Sequence, residues 1–401
     1  MAPLKITYLH YLYGSDTALH HVEQFANAAR ELGHHVSVHA LNLGAPPQTA
    51  GSSPVRMSLG NRLKQRLKPW LSRFLHEPKE LYWNLRYFRR ERAILARERP
   101  DVVLVRDNHW SISYVFAARR LGVPLVLEEN SPAAEMRLYR HEHVHLPLVA
   151  ESLERWRVRR ADAVTAVSTP LKDTLVRASG VAADKIVVVP NGVDVDRFSM
   201  DVPPDEQIAS RFAGVPVIGF VGSFQAFHNP EALGRMAVLL SERGLRTGFA
   251  FVGGGQGMET VRRITAPIAD RTLFLDRVPH ARVPGIVRAL DVGVLPDTAY
   301  YCCPLKILEW MAAGIAVVAP AYDSIRELID DGNTGALFPP GNMEGLVRSV
   351  EQLLEQPERR RQIGANAAAH VRRSLTWRHN AERVLDVCHA AIARHHDRGR
   401  A

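Results

Sequence analysis

Residues 303–320 read CPLKILEWMAAGIAVVAP, a stretch that runs from a loop into a helix and from the helix into a buried strand. Pro304 suits the first turn of a helix, where its missing N–H is no loss, and the free N–H groups beside it suit a phosphate anion. Lys306 adds a point charge there. Glu309, one turn further on, can accept two hydrogen bonds from a vicinal diol such as a ribose. Gly314 closes the helix, and residues 315–319 have the unbroken apolar character of a strand covered on both faces. Lys306 and Glu309 are also compatible with a simple i,i+3 ion pair on a solvated surface. The rest of the chain decides between the two.

Apolar runs of strand length alternate with longer helical patterns throughout. They fall at 6–9, 36–40, 102–105, 125–127, 164–167 and 186–189, and again at 217–221, 249–252, 273–275, 292–295, 316–319 and 336–338. This alternation predicts an α/β protein of parallel sheets with helices on both faces. The series breaks once, at NGVDVDRFSMDVPPDEQIASRFAGVP (191–216), whose Pro, Gly and Asp content reads as a linker. Two Rossmann-like, doubly wound domains are expected, 1–195 and 196–376. The helical segment at about 377–401 returns to complete the first if that one lacks a covering helix.

At 401 residues and 46% hydrophobic content the chain is long enough for two cores. No run of about 18 apolar residues occurs, and MAPLKITYLH lacks the shape of a signal peptide. A cytoplasmic protein is expected. Cys302, Cys303 and Cys388 make neither a disulfide framework nor a metal-ligand spacing. The net charge of +9 implies an anionic partner. From Arg56 to Arg99 there are thirteen Lys or Arg against four Glu, interleaved with Leu, Trp, Tyr and Phe. That pattern suits a peripheral contact with an anionic membrane. It suits equally a helical hairpin packed on its own domain with arginines toward solvent. Nothing resembles a zinc finger, helix-turn-helix or RNP motif, so nucleic acid is not expected as a partner.

Ligands of open α/β sheets bind beyond the carboxyl ends of the strands. Glycine-bearing turns stand there at Gly14–Ser15, Gly222–Ser223 and Gly253 to Gly257. The last run carries Met258 where the dinucleotide fingerprint needs a third glycine, and no Walker A sequence is present, which disfavours an NAD enzyme or a P-loop ATPase.

PDVVLVR, GVPLVLEENSP, ADAVTAVSTPLKDTL, IVVVPNGVD, IGFVGSF, FVGGG, RVPHARVPGIVRALDVGVLP, PLKILEWMAAGIAVVA, IRELIDDGNTGALFPPGN and LTWRHNAERV occur in this order. The set resembles the retaining glycosyltransferases of family 4 across nearly the whole chain. The resemblance implies GT-B architecture, two Rossmann-like domains facing a central cleft, the first binding acceptor and the second a nucleotide-sugar donor. It gives Glu309 the ribose hydroxyls and Lys306 the diphosphate, with Pro304, Leu305, Gly222, Ser223, His228 and Gly254 lining the donor site. Two departures stand out. Tyr301 occupies the place of a glutamate that relatives set near the donor sugar. Ser223 occupies that of an arginine, with no lysine before Pro230, so that His228 is the one potentially cationic group of its loop, its alternative being to cap the next helix. In the first half the resemblance points to Glu128, Asn130 and Arg106 as catalytic groups. Acceptor contacts fall to Gly14, Ser15, His109 and Glu135, with Arg137 and Arg140 near an acceptor phosphate.

The implied reaction moves a hexose from a UDP- or GDP-linked donor to an acceptor hydroxyl, on a saccharide or lipid-linked intermediate, with retention. The resemblance implies no cofactor and no metal, with which the position of DVD at 194–196 in the linker agrees. No covalent nucleophile is evident, and the resemblance implies a front-face path in which the leaving phosphate takes the acceptor proton. A soluble natural-product acceptor and a catalytically silent sugar-nucleotide-binding protein are the competing readings.

Overall fold

A computed structural model describes residues 2–12, 16–41, 59–106, 109–135 and 146–400, with backbone only at 16–18, 59–77, 135 and 399–400. The chain divides into two compact units: residues 1–167, 171–189 and 381–401, and residues 168–170 and 190–380.

The first unit carries a six-stranded parallel sheet in the order β2-β1-β3-β4-β5-β6, formed by β1 (Lys5–His10), β2 (His35–Ala40), β3 (Val102–Arg106), β4 (Leu125–Glu129), β5 (Ala163–Ala166) and β6 (Ile186–Val188). The second repeats the plan as β12-β11-β10-β7-β8-β9. Its strands are β7 (Val217–Ser223), β8 (Gly248–Gly254), β9 (Thr272–Leu275), β10 (Val292–Val294), β11 (Ala316–Pro320) and β12 (Ala336–Phe338). Each apolar run in the sequence is thus a strand, the central ones buried on both faces as parallel sheets require and the edge strands β2, β6, β9 and β12 only partly covered. The order reverses beside β1 in the first sheet and between β7 and β10 in the second. At such switch points the loops beyond the strand ends part and leave room for a ligand.

Three features depart from expectation. Residues 190–216 are built into the second unit rather than hanging as a loose linker, because Phe198, Ile208 and Phe212 bury their side chains there. The basic segment, which follows helix α1 (Asp16–Glu31) and β2, forms one continuous helix, α2 (Leu59–Glu98), not a hairpin. Pro304 stands in extended backbone (φ −71°, ψ 120°) at the N-cap, one residue before its helix, not in the first turn. The final helix, Trp377–Arg400, joins the first unit from residue 381 on. There Arg398 reaches Asp162 at 3.1 Å and Arg394 reaches Asp184 at 3.0 Å.

The C-terminal half of α2 packs on α3 (Ser113–Leu121), and Tyr87, Glu91, Ile94 and Leu95 are buried along it. Asn84 ties the two together, its Nδ2 donating to the Trp110 carbonyl (3.0 Å) and its Oδ1 accepting from Ile112 N (2.7 Å) and Ser113 N (3.0 Å). Glu91 is fully buried and accepts from the Tyr11 hydroxyl and from Ser113 Oγ at 2.6 Å. Its second carboxyl oxygen is buried without a hydrogen-bond partner among the described residues. Burial pushes this carboxyl up to about 7, the two hydrogen bonds pulling against it. Because the folded pKa lies above the unfolded one, no penalty exists below about pH 4.5. The penalty grows as pH rises to 7 and is constant above, reaching about 3 kcal/mol. Urea unfolding at pH 5 and pH 8 should therefore show a loss of stability across this window that Glu91→Gln reduces. An unchanged loss in that variant would contradict the assignment.

Candidate functional site

In the second unit the helix Leu305–Ala312 buries Ile307, Leu308, Trp310 and Met311, which leaves Lys306 and Glu309 together on its remaining, half-buried side. Its N-terminus, preceded by the β10 loop, lies at the switch point of the sheet. No ion pair forms between the two side chains. Lys306 Nζ instead donates to His228 Nε2 at 2.8 Å and lies 4.4 Å from the centroid of the Phe220 ring. Backbone geometry makes the space for it. Gly222, at the end of β7, has φ +146°, and a Cβ there would meet Lys306 Nζ at 3.0 Å. A Cβ at Gly253, on the neighbouring strand, would sit 1.8 Å from the Gly222 carbonyl oxygen.

His228 lies in a short 3-10 turn, Ala226–His228, and is buried. Its Nδ1 faces the Asp297 carbonyl at 3.2 Å. Burial, and then the neighbouring Lys306, pull it down to about 2, so it is a neutral base here and not the cation its loop position suggested. Nor does it cap the next helix. Asn229 does so, in left-handed backbone (φ 49°), its Oδ1 accepting from Ala232 N at 3.2 Å. The positive charge of the site therefore belongs to Lys306. Burial pulls that ammonium down to about 7, against Glu309 and Cys302. Burial likewise pushes Glu309 up to about 7, against Arg197 and Lys306. Arg197 is held by the His280 carbonyl at 2.6 Å.

The other donor-side residues are placed as follows. Ser223 is exposed, and Gly254, Pro304 and Leu305 are half-buried. Gly254 accepts from Phe224 N at 2.9 Å, which joins the β7 and β8 loops. Tyr301 is buried, and its carbonyl accepts from Ser168 Oγ at 2.7 Å. Asp297, which the sequence reading passed over, accepts on Oδ1 from Thr298 N (2.8 Å) and from the Tyr322 hydroxyl (3.0 Å). Burial raises its pKa.

The first unit brings Arg106, Glu128 and Asn130 together. The sheet sets His10 beside Arg106 and Arg106 beside Glu128 at the carboxyl ends of three strands. Glu128 Oε1 accepts from Arg106 at 2.7 Å and Asn130 Nδ2 at 2.9 Å, with His21 Nε2 at 3.2 Å, while Oε2 accepts from the Tyr8 hydroxyl. Burial alone would raise this carboxyl. Arg106, His21 and the hydrogen bonds from His21 and Tyr8 outweigh it and hold the group ionised, well below the usual carboxylate range. Tyr8 and His21 are additions to the expected set. Tyr8 reads in sequence as one more apolar strand residue, and His21 as one of two adjacent histidines on a helix, so no local signal marks either.

His109 is buried in left-handed backbone (φ 68°) with Nε2 3.2 Å from Ser131 Oγ, and its carbonyl accepts from the buried Arg157 at 2.6 Å. Glu135 ends a 3-10 turn, Ala133–Glu135. Gly14, Ser15, Arg137 and Arg140 lie outside the described residues. Among the described residues no group of three or more His, Cys, Asp or Glu is placed to hold a metal ion, and no helix is long and apolar enough to cross a membrane.

Comparison with known proteins agrees with this geometry. The model Glycosyltransferase Family 4 matches residues 19–197, and Glycosyl transferases group 1 matches 215–356. The chain is 31% identical over 311 residues to the D-inositol 3-phosphate glycosyltransferase of Streptomyces scabiei, covering 73% of this chain and 69% of that one. It is 30% identical over 314 residues to the 2-deoxystreptamine N-acetyl-D-glucosaminyltransferase of Streptomyces fradiae, covering 74% and 72%. Anabaena Alr3699/HepE in complex with UDP superposes with a TM-score of 0.69 at 16% identity, over 96% of this chain and 99% of that one.

Lys306 must be charged to meet an anion, and both Lys306 and Glu309 lose a proton near pH 7, which makes the site more negative. UDP affinity, measured calorimetrically, should fall between pH 7 and 9 by up to about tenfold per unit. Lys306→Arg, which stays charged, should show a shallower fall. A flat profile for the natural chain would contradict the assignment.

Proposed function

This chain belongs to glycosyltransferase family 4, the group 1 glycosyl transferases, has the GT-B fold and is a nucleoside-diphosphate-sugar-dependent glycosyltransferase; from that premise we propose that it moves a hexose from a UDP- or GDP-linked donor, with retention, to a hydroxyl of a lipid-linked or cell-surface saccharide intermediate. The observation that carries the donor half is Lys306 and Glu309 side by side at a helix N-terminus on the switch point of the second sheet. Lys306 and the first-turn N–H groups meet the diphosphate, and Glu309 accepts from the ribose hydroxyls. As the sugar–phosphate bond breaks, negative charge grows on the leaving phosphate. A preformed ammonium and helix dipole stabilise it there without reorganisation, and the phosphate takes the proton of the incoming hydroxyl. This chemistry calls on no metal. That Anabaena HepE was solved with UDP and with UDP-glucose favours a uridine donor.

The first unit is assigned the acceptor. Its Glu128, fixed by four side chains and ionised, is a preformed acceptor of hydrogen bonds, with Asn130 and Arg106 oriented by it. On α2, Tyr82 (58% exposed) and Leu85 (67%) stand in solvent among Lys79, Arg86, Arg89 and Arg90, which supports a peripheral contact with an anionic bilayer from this half of the helix. A second reading, a small polar acceptor in solution, is favoured by the relatives named for inositol 3-phosphate and 2-deoxystreptamine.

One measurement tests the donor half and another separates the two acceptors. Glu309→Ala should weaken calorimetric binding of UDP-glucose by about tenfold or more, and unchanged affinity would remove the ribose role. The full chain should co-sediment with vesicles containing anionic lipid at low salt and release as salt rises. Failure to bind them, with turnover of a soluble cyclitol, would favour the second reading.

A further inference from the structure

We propose that His228 is a positioning residue for Lys306, a neutral imidazole whose Nε2 holds the ammonium at the place where the donor's diphosphate meets it. The proposal rests on the reading of Lys306 as the diphosphate contact. It goes beyond that reading by naming what aims the lysine.

Geometry alone fixes the state of the ring. Its Nδ1 lies 3.2 Å from the Asp297 carbonyl, a group that can only accept, so Nδ1 carries the hydrogen. Its Nε2 lies 2.8 Å from Lys306 Nζ, a group that as an ammonium can only donate, so Nε2 presents its lone pair. The imidazole is thus clamped between an obligate acceptor and an obligate donor. The Asp297 end and the ring between are themselves held. The Asp297 carboxylate is pinned by Thr298 N and the Tyr322 hydroxyl. The His228 ring packs with Phe220 at 5.6 Å and Phe227 at 4.1 Å between centroids, and its backbone N–H donates to the Gln225 carbonyl at 3.0 Å. Asn229 takes the helix cap, which leaves the His228 side chain for this contact.

The consequence for binding is entropic and directional. A lysine has four rotatable bonds, and ordering them normally opposes association. Here the ammonium is ordered beforehand by His228 and the Phe220 face, with two of its three hydrogens left for phosphate oxygens.

The test is a calorimetric cycle on the full chain with UDP and GDP, using whichever binds more tightly. His228→Met keeps the size of the side chain and removes the acceptor, while His228→Gln keeps an acceptor. His228→Met should weaken binding by about tenfold, and His228→Gln should recover most of that loss. Combined with Lys306→Ala, His228→Met should add no further loss, because both act through one contact. Additive losses, or no difference between Met and Gln, would overturn the proposal. If Lys306→Ala itself leaves affinity unchanged, the diphosphate reading fails and the proposal falls with it. Nitrogen-15 shifts of the His228 ring in the natural chain give a check that needs no variant. A protonated Nδ1 with a bare Nε2 at pH 6.5 supports the proposal, and an imidazolium or the other tautomer overturns it.

Discussion

A lysine ammonium set half inside a protein is costly to keep charged, and the donor side of this molecule is organised around that cost. Burial pulls Lys306 toward neutrality, and three features oppose it: the face of Phe220, the lone pair of His228 and the nearby carboxyl of Glu309. The missing side chain at Gly222 lets the ammonium approach the strand end, and that backbone in turn needs glycine at 253 to clear its carbonyl. Two glycines and an aromatic from β7 and β8, with a histidine from the turn after β7, are therefore arranged for one charge on a helix that begins well further along the chain.

The first unit solves the opposite problem, keeping a negative charge in place. Glu128 ends its strand beside Arg106 and gathers Tyr8, His21 and Asn130 as well. Surrounded in this way, a carboxylate remains ionised at any pH the protein is expected to meet. Nearby, Glu91 shows the alternative: two neutral hydroxyl donors and no cation leave a buried carboxyl that ionises only near neutrality. Whether a counter-charge is supplied, more than depth, separates the two.

The strands and their parallel direction were legible from the apolar runs, because a central strand buried on both faces has little choice but to be continuously apolar. Lys306 and Glu309 were legible too, since their spacing puts them on one side of a helix whose other positions are apolar. The state of His228 was not, because it depends on Asp297 and Lys306, 69 and 78 residues away in sequence. Two partners of Glu128, Tyr8 and His21, were hidden for the same reason, Tyr8 meeting it only through the lateral order of the sheet. The linker at 191–216 misled through its composition: its few aromatic and aliphatic residues, spaced among Pro and Asp, are the ones that bury.

The central claim is that Lys306, held by His228 and Phe220, is the charge that receives the leaving diphosphate. A crystal structure of the full chain with UDP bound tests it most directly. The account predicts a phosphate oxygen within about 3 Å of Lys306 Nζ, with the Lys306–His228 contact kept and the ribose hydroxyls on Glu309. A diphosphate bound elsewhere, or a Lys306 side chain swung away from His228 to reach it, would contradict the account.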